Sequence, residues 1–318
     1  MKVIKIHHPH QLTEKHFPEL VIALGFFDGV HRGHQKVIGT AKEIADKTNS
    51  GLAVMTFDPH PSVVLAKEKK DIQYITPLQE KIDRIKDLGV EYLFIVRFTS
   101  AFASLKPEQF VDQFLIQLHA KHVVAGFDYT YGQFGKGTME GLVEDSKGMF
   151  DVTTVGKLEQ NNEKVSSTLI RKQLSEGAVE SVNQLLGRPY TISGTVVHGE
   201  KRGRTIGFPT ANISAQENEI IPQAGVYAVK VKVGRKWENG VCNVGYRPTF
   251  HDPNLSELSI EVHILNFSNF IYGEEVVIKW YKRIRAEQKF NGIDELIAQI
   301  GKDKQQTEKY FQDLDKEA

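Results

Sequence analysis

The sequence predicts an α/β, doubly wound N-terminal domain followed by a mainly β, Greek-key-like barrel with a terminal helix. Between about residues 20 and 155 of the 318, short apolar runs alternate with helical patterns, which is typical of a parallel sheet covered by helices on both faces. After about residue 186 the pattern changes to β-rich segments separated by turns, which is typical of a small antiparallel barrel. A helical pattern over about 293–314 closes the chain.

The elements of the first domain follow in order along the chain. Apolar runs predict strands at 21–24, 52–57, 93–98, 123–125 and 152–155. The helix after the first strand carries an apolar stripe that should face the sheet, made of Val37, Ile38, Ala41, Ile44 and Ala45. A second helix is expected from about Thr76 to Gly89. A third begins at Pro107, a residue suited to the first helical position, and should bury Phe110, Val111, Phe114 and Leu118.

The second domain is predicted from strand-like segments at 226–233, 258–265 and 276–280. A helical pattern ends at Leu186-Gly187-Arg188-Pro189, where Gly and Pro favour a break. We therefore expect one domain at 1–186 and another at 187–318.

Composition narrows the class of protein. Forty basic and forty acidic residues balance to a net charge of zero, which argues against a nucleic-acid-binding surface spread over the protein. Cys242 is the single cysteine, so no intrachain disulfide can form. The N-terminus lacks the apolar stretch of a signal peptide, and no window approaches the roughly 20 apolar residues of a membrane span. We expect a cytoplasmic protein with neither nucleic acid nor membrane as partner; the sequence specifies no oligomeric state.

The densest motif is Gly25-Phe26-Phe27-Asp28-Gly29-Val30-His31-Arg32-Gly33-His34, between an apolar run and a helical pattern. Unpaired backbone N–H groups at a helix N-terminus attract anions, and the helix dipole adds to that attraction. His31 and His34 are three residues apart and share one face of the first turn. The motif therefore predicts a site for nucleotide phosphates.

The context of this motif, rather than the His spacing, makes it informative. With 12 His in 318 residues, roughly 0.4 His-x-x-His pairs are expected by chance. The pairs His7/His10 and His119/His122 have the same spacing without the strand, the glycines and the helix. Two surface histidines or a zinc site are the alternatives, and no third Cys or His lies close by in sequence to complete a zinc site.

A second motif, Val165-Ser166-Ser167-Thr168-Leu169-Ile170-Arg171, places hydroxyl groups before a short helix and an Arg one turn in. Ser and Thr are also common N-caps, so the segment alone fits either a cap or an anion site. A guanidinium can hold two phosphate oxygens at once, which favours the anion site if a phosphate lies nearby.

A third motif covers residues 198–212 and combines three glycines with three basic residues, followed by Pro209, Thr210 and Asn212. This composition predicts a flexible anion-binding loop or a basic turn without a ligand. Hydroxyl and amide oxygens suit Mg²⁺. The nearest approach to a P-loop, Gly194 to Gly199, continues with Glu200 instead of Lys, so a P-loop is excluded.

Over essentially the whole chain, these motifs resemble those of bacterial bifunctional riboflavin kinase/FAD synthetases, whose first motif is the nucleotidylyltransferase signature Gly-x-Phe-Asp-Gly-x-His-x-Gly-His. The resemblance implies a Rossmann-like nucleotidylyltransferase domain and a riboflavin kinase domain. It implies that the second domain phosphorylates riboflavin to FMN, and that the first adenylylates FMN to FAD and releases pyrophosphate. Mg²⁺ is the implied cofactor, ATP the co-substrate, and FMN and FAD the products.

The resemblance also implies roles for residues of the first domain. His31 and His34 would stabilise the α-phosphate of ATP in the transition state. Other ATP-binding positions would be Gly25, Phe27, Asp28, Gly33, Ser167, Thr168 and Arg171. The flavin would lie near Asp58, His60, Asp128 and Tyr129. From the residues alone, Asp58-Pro59-His60-Pro61 also fits a rigid turn and 126–132 a turn packed by its own tyrosines. Some relatives carry Asn at the position of Asp128.

In the second domain the resemblance assigns Gly199, Lys201, Gly203 and Arg204 to ATP, and Thr210 and Asn212 to the metal. The pattern of 258–265 alternates, with Ile260, Val262 and Ile264 on one face and Glu261 with His263 on the other. By pattern alone Glu261 is a solvated carboxylate, whereas the resemblance makes it the catalytic base. Arg283 and Arg285 would lie near the flavin, or make surface ion pairs worth little.

Two other hypotheses remain at this stage. One site could be silent, most plausibly the first, because Phe134-Gly135-Lys136-Gly137 departs from the basic stretch common in relatives. The chain could also be a flavin-binding regulator without turnover. The joint presence of the His pair, the Thr-x-Asn segment and Glu261 argues against a regulator, because binding alone needs no such combination. Release of pyrophosphate separates the hypotheses.

Overall fold

The computed structural model describes residues 1–66, 72–199, 203, 206–248 and 256–317. The chain forms two compact units, Met1–Ser167 and Thr168–Ala318. In the described residues we find no helix with both the length and the apolar character needed to cross a bilayer.

The first unit is built on a parallel sheet of six strands. The strands are β1 (Lys2–Ile6), β2 (Leu20–Leu24), β3 (Gly51–Asp58), β4 (Tyr92–Arg97), β5 (Ala120–Gly126) and β6 (Asp151–Val155). Their order across the sheet is β1-β4-β3-β2-β5-β6, and each neighbouring pair is parallel. The doubly wound α/β prediction is confirmed, and all five predicted strands are present.

The helices of this unit connect the strands. They are α1 (Arg32–Thr48), α2 (Pro61–Leu65), α3 (Leu78–Asp87), α4 (Ser100–Ala103), α5 (Pro107–Val111) and α6 (Met139–Asp145). Helix α5 continues into a π-helical turn, Asp112–Ile116. A small hairpin follows the sheet, with strands β7 (Glu159–Gln160) and β8 (Glu163–Lys164).

Strand β2 is buried along its whole length because helices cover both faces of the sheet. Leu20, Ile22 and Leu24 belong to the core on one face. Val21 and Ala23 belong to the core on the other face, which also contains the apolar stripe of α1. Successive side chains of a strand point to opposite faces of the sheet, so a central parallel strand covered on both faces needs apolar residues at every position.

Strand β1 was missed by the sequence analysis. It lies at the edge of the sheet, pairs in parallel with β4, and is exposed at three of its five residues. Its lysines face solvent, as is common for edge strands, so the apolar run that identifies a buried strand is absent.

The order of strands reverses at β2, because β3 lies on one side of it and β5 on the other. Ligands of doubly wound folds bind beyond the carboxyl ends of the strands at such a reversal. The segments after β2, β3 and β5 all begin at this edge. They contain the His motif, Asp58-Pro59-His60 and the loop 126–132.

The second unit is a closed antiparallel barrel, as predicted. Its strands are β9 (Tyr190–Val197), β10 (Ala211–Ala215), β11 (Gly225–Val233), β12 (Lys236–Pro248), β13 (Ser256–Ile264) and β14 (Glu275–Arg285). The order around the barrel is β10-β13-β12-β11-β14-β9. Tyr227 and Trp280 pack edge to face in its core, with ring centroids 5.1 Å apart. The helix that we name α9 (Ile293–Glu317) ends the chain.

Two helices, α7 (Ser167–Ser175) and α8 (Val179–Leu186), precede the barrel and are part of the second unit. Only the first residue of α7, Ser167, belongs to the first unit. Asn183 Nδ2 of α8 donates to Trp280 O at 2.8 Å, and Asn183 Oδ1 accepts from Tyr190 N at 2.7 Å. One amide side chain therefore joins α8 to two strands of the barrel.

We predict that Phe114→Ala lowers the free energy of unfolding by about 3–5 kcal/mol, because it leaves a cavity among aromatic rings. The Phe114 ring is fully buried and lies 5.0 Å from Phe102 and 5.8 Å from Phe110, centroid to centroid. Urea unfolding measures the change. The control is Phe134→Ala, whose ring is 85% exposed and whose loss should cost less than about 0.5 kcal/mol. Equal losses in the two variants would contradict the described core.

Candidate active sites

The first candidate site is the turn between β2 and α1, residues 25–31, which we call the β2–α1 turn. Its backbone is unusual: Phe27, Gly29 and Val30 have φ values of 55°, 86° and 41°. The Phe27 ring is buried and lies so close to Gly25 that a Cβ there would be 2.7 Å from Phe27 Cζ. Gly25 therefore lets the turn fold back over its own aromatic ring.

His31 ends this turn and is the N-cap of α1. Its Nδ1 accepts a hydrogen bond from the backbone N–H of His34 at 3.2 Å. Because Nδ1 is the acceptor, the neutral ring carries its proton on Nε2. His31 is the buried member of the pair, whereas His34 is partly exposed. The cap therefore also sets the tautomer of the imidazole.

The rings of His31 and His34 stack, with centroids 3.5 Å apart and planes 18° apart. Burial lowers the pKa of His34 well below its usual range, and electrostatic interactions with His31 and Lys81 lower it further. His34 is therefore neutral at physiological pH, and a neutral imidazole has one N–H to donate. The structure brings together the two histidines that the sequence singled out.

Asp28, which is predicted to be among the ATP-binding positions, has a buried carboxylate with backbone partners. It is 3% exposed, and its Oδ1 accepts hydrogen bonds from Ile75 N and Thr76 N, both at 3.1 Å. Its carboxylate therefore ties the β2–α1 turn to the segment before α3, and an acidic group would repel a phosphate.

Ser167 lies at the same turn. Its Oγ donates a hydrogen bond to Asp28 O at 2.9 Å, so the two motifs meet although 139 residues separate them. Thr168 and Arg171 follow on α7, in the part of that helix assigned to the second unit. The close approach of Val165 O to Gly33, 3.5 Å from where a Cβ would lie, gives a second contact between these segments.

Asp58 is the last residue of β3, and His60 follows it after a cis peptide bond between Asp58 and Pro59. His60 is the N-cap of α2, and its ring lies edge-on to Phe26 of the β2–α1 turn at 4.4 Å. Asp58 forms an ion pair with Arg97 at 3.4 Å. The structure thus places His60 against the turn, in a rigid local structure.

Asp128 and Tyr129 follow β5. Asp128 forms an ion pair with Lys164 of β8, and Lys164 Nζ lies 4.7 Å from the centre of the exposed Phe127 ring. Tyr129 packs against the core, and burial raises the pKa of its hydroxyl. Tyr129 therefore anchors the loop 126–132 to the core of the first unit.

Lys81 was missed by the sequence analysis. It lies on α3 but is 3% exposed, and its Nζ donates to Phe26 O of the β2–α1 turn at 3.0 Å. The available signal was its spacing, because Lys81 is three residues after Leu78 and four before Ile85. A charged residue on the apolar stripe of a helix is expected to have a buried partner.

The second candidate site lies on strands β10, β12 and β13 of the barrel. Asn212 and Asn243 are both directly paired with Glu261, and directly paired residues have side chains on the same face of a sheet. Thr210 Oγ1 donates to Glu261 Oε2 at 3.4 Å. We call Thr210, Asn212, Asn243 and Glu261 the Glu261 face. The predicted alternation of β13 is confirmed, because Ile260, Val262 and Ile264 are buried.

The loop before β10 is shaped by close contacts. Gly199 lies so close to the side-chain amide of Asn212 that a Cβ would collide with it. His263 Nδ1 hydrogen bonds to Pro209 O at 2.8 Å, which holds the segment presenting Thr210. Gly203 packs against Phe208 O. Lys201 and Arg204 lie outside the described residues.

Arg283 and Arg285, expected near a flavin, have protein partners. Arg283 Nη1 donates to Glu176 O and Nη2 to Ala224 O, both at 3.0 Å. Arg285 forms a bidentate ion pair with Asp303 of α9, with Nη2 to Oδ2 at 2.8 Å. Asp303 is buried, so this pair is not the surface ion pair considered from sequence. The guanidinium of Arg285 joins α9 to the barrel, and that of Arg283 joins the segments after α7 and before β11 to it.

The two sites have different donor sets. The β2–α1 turn offers imidazoles and a helix N-terminus, which suit the direct binding of an anion. The Glu261 face offers hydroxyl, amide and carboxylate oxygens, the ligands that Mg²⁺ takes. The oxygen groups of these residues therefore have the chemistry of a magnesium site.

Comparison with protein families matches two successive parts of the chain. The FAD synthetase family matches residues 13–169, and the riboflavin kinase family matches residues 186–311. Relatives named bifunctional riboflavin kinase/FMN adenylyltransferase cover both parts. The one from Bacillus subtilis is 54% identical, over 99% of this chain and all of its own length. The one from Escherichia coli K12 is 36% identical, over 95% of this chain and 96% of its own length.

A solved structure is also similar over nearly the full length. A crystal structure described as a macrolide-efflux protein from Streptococcus pneumoniae has a TM-score of 0.87 and 36% sequence identity, and the match covers 96% of this chain and 98% of that one. The family matches to both halves of the chain and the full-length relatives agree with each other. The chain belongs to the family of bifunctional riboflavin kinase/FMN adenylyltransferases.

Proposed function

We propose that the two reactions of this enzyme occur at the two sites described above. The enzyme phosphorylates riboflavin to FMN with ATP, and adenylylates FMN to FAD with release of pyrophosphate. We assign adenylylation to the β2–α1 turn and phosphorylation to the Glu261 face, with domains at 1–186 and 187–318. The stacked His pair at a helix N-terminus is the observation that supports the first assignment, because it binds an anion without needing a base.

In adenylylation, a phosphate oxygen of FMN attacks the α-phosphorus of ATP, and the bond to the β-phosphate oxygen breaks. The attacking group is already an anion, so the protein needs to supply only position and charge stabilisation. His31 donates from Nε2 and His34 from its single N–H to the α-phosphate oxygens. The backbone near Gly25, Phe27 and Gly33 gives the nucleotide close access to the turn.

Ser167, Thr168 and Arg171 are proposed to bind the β- and γ-phosphates. Ser167 is held at the turn by its hydrogen bond to Asp28 O, which supports this assignment. The guanidinium of Arg171 would balance the charge that develops on the departing pyrophosphate. Asp28 is proposed to act through the backbone, since its carboxylate holds Ile75 and Thr76.

In phosphorylation, the terminal ribityl hydroxyl of riboflavin loses its proton to Glu261 as its oxygen attacks the γ-phosphorus of ATP. ADP leaves, and Glu261 later returns the proton to solvent. The loop with Gly199, Lys201, Gly203 and Arg204 is proposed to bind the ATP phosphates. The hydrogen bond from Thr210 to Glu261 supports this role, because it fixes the orientation of the carboxylate.

Mg²⁺ is proposed to bind with ATP at Thr210 and Asn212, where it would neutralise charge on the phosphates. The close contact between Gly199 and the Asn212 amide supports this proposal. A residue with a Cβ at position 199 would collide with the amide and displace it.

The flavin of FMN is proposed to lie along Asp58, His60, Asp128 and Tyr129. The contact of His60 with Phe26 supports this, because it places an aromatic surface beside the β2–α1 turn. Arg283 and Arg285 are proposed to support the flavin side of the kinase only indirectly, through their contacts with other segments of the second unit.

The cytoplasm is the proposed location, and nucleic acid is not a proposed partner. A single cysteine, buried in β12, and a net charge of zero support these proposals.

The whole assignment is tested by incubating the purified protein with riboflavin, ATP and Mg²⁺ and separating the flavins by chromatography over time. FMN should appear first and FAD second, with one pyrophosphate per FAD. FMN alone would mean a silent first site, and the absence of both products would favour a flavin-binding regulator.

We predict that the double variant His31→Ala/His34→Ala reduces FMN adenylylation by about 100-fold or more, because donors to the α-phosphate are lost. Riboflavin kinase turnover should stay within about twofold. His7→Ala is the matched control, since His7 is exposed and outside the motif. Adenylylation at the wild-type rate in the double variant would reject the assignment.

For the second site we predict the reverse pattern. Glu261→Gln keeps the shape of the side chain and its hydrogen bond to Thr210 but removes the base, so kinase turnover should fall by about 100-fold or more. Adenylylation of supplied FMN should be unchanged. Unchanged kinase turnover would show that Glu261 is a solvated strand residue.

A further inference from the structure

Lys81 is a buried ammonium beneath the β2–α1 turn. It lies on α3, whose apolar residues pack on the sheet, and 3% of it is exposed. Its Nζ reaches Phe26 O at 3.0 Å and lies 4.1 Å from the centre of the Phe26 ring. An ammonium is costly to bury, so a lysine at this position needs an explanation that packing does not provide.

The hydrogen bond alone does not explain Lys81. Phe26 O also accepts a hydrogen bond from Thr56 Oγ1, at 2.8 Å, and Thr56 is fully buried. The carbonyl would therefore keep a partner if Lys81 were replaced. A neutral side chain of similar length could fill the same space at lower cost.

The charge of Lys81 is surrounded by the groups of the first site. The carboxylates of Asp28 and Asp58 attract it, and its field acts on His34. Both carboxylates have other partners, because Asp28 accepts from Ile75 and Thr76 and Asp58 pairs with Arg97. Lys81 thus offsets two acidic groups next to a turn that must receive phosphates.

We propose that Lys81 is a positioning residue for FMN adenylylation, and that its buried positive charge, rather than its hydrogen bond, prepares the β2–α1 turn for the phosphates of ATP. This inference rests on the role proposed for His31 and His34. The charge acts by cancelling the repulsion between Asp28 and an incoming phosphate. In a site of low dielectric this effect is stronger than in water.

The energetics of folding agree with this reading. Burial lowers the pKa of Lys81 to about 8, from an ordinary value of 10.5, although Asp28 and Asp58 act in the opposite direction. Because the pKa is lowered on folding, the charged form costs stability below about pH 8, and that cost disappears as the pH rises toward 10.5. A neutral residue at 81 should therefore leave the protein at least as stable at neutral pH.

The experiment compares Lys81→Gln and Lys81→Met with Thr56→Val. The Gln variant keeps a donor without the charge, the Met variant keeps neither, and Thr56→Val removes the other donor to Phe26 O while Lys81 stays charged. Adenylylation of FMN, riboflavin kinase turnover and the thermal midpoint are measured for each. Both Lys81 variants should lose adenylylation by about 10- to 100-fold at pH 7, with kinase turnover and midpoint retained, and Thr56→Val should lose less than about threefold.

The pH profile adds a readout that a purely structural role would not move. The wild-type advantage over Lys81→Gln in kcat/KM should shrink as the pH rises through about 8, because the wild-type ammonium then loses its proton. Full adenylylation in Lys81→Gln, an equal loss in Thr56→Val, a pH-independent ratio, or a lower midpoint in both Lys81 variants would each overturn the proposal.

The same assays separate this inference from the proposed function. If His31→Ala/His34→Ala keeps adenylylation, the site assignment itself fails. If that double variant is inactive and Lys81→Gln is fully active, only the role of Lys81 fails.

Discussion

The buried carboxylate of Asp28 accepts hydrogen bonds from the backbone of Ile75 and Thr76, and its own carbonyl accepts one from Ser167. Three distant segments of the first unit therefore meet at one residue. Phe27 and Val30 of the β2–α1 turn have positive φ values, which are costly for residues other than glycine and persist only when the surroundings hold them. The stacking of His31 on His34 depends on this, because the turn sets where α1 begins.

In the second unit the constraint is strand register. Asn212, Glu261 and Asn243 share a face only because β10, β13 and β12 pair as they do. A slip of one residue would move Glu261 to the apolar side of its strand. The buried residues on either side of Glu261 prevent that slip, so the core of the barrel also keeps the carboxylate beside Thr210.

Many of the strands of this protein could be predicted from local sequence patterns. The central strands β2, β3, β4 and β5 were recognised because central parallel strands are largely apolar, and β13 was recognised because its faces alternate. Strand β6 lies at the other edge of the sheet and is buried only at Val155. Strand β1 was missed since an edge strand with lysines has neither signal. Lys81 was missed because a charge on a helix is ordinarily solvated, and only the folded chain shows that this one lies under a loop 55 residues away.

The sequence by itself determined the two-part architecture, the His pair at a strand-to-helix turn and the Thr-x-Asn segment, because each depends on residues close together in the chain. Tertiary structure decided which polar groups meet. It paired the Asp28 carboxylate with two backbone N–H groups, gave Arg285 a buried partner in Asp303, and placed the ammonium of Lys81 at Phe26 O. Hydrogen bonds and charges act through space, so contacts between residues far apart in sequence are set only when the sheet order and the strand register are formed.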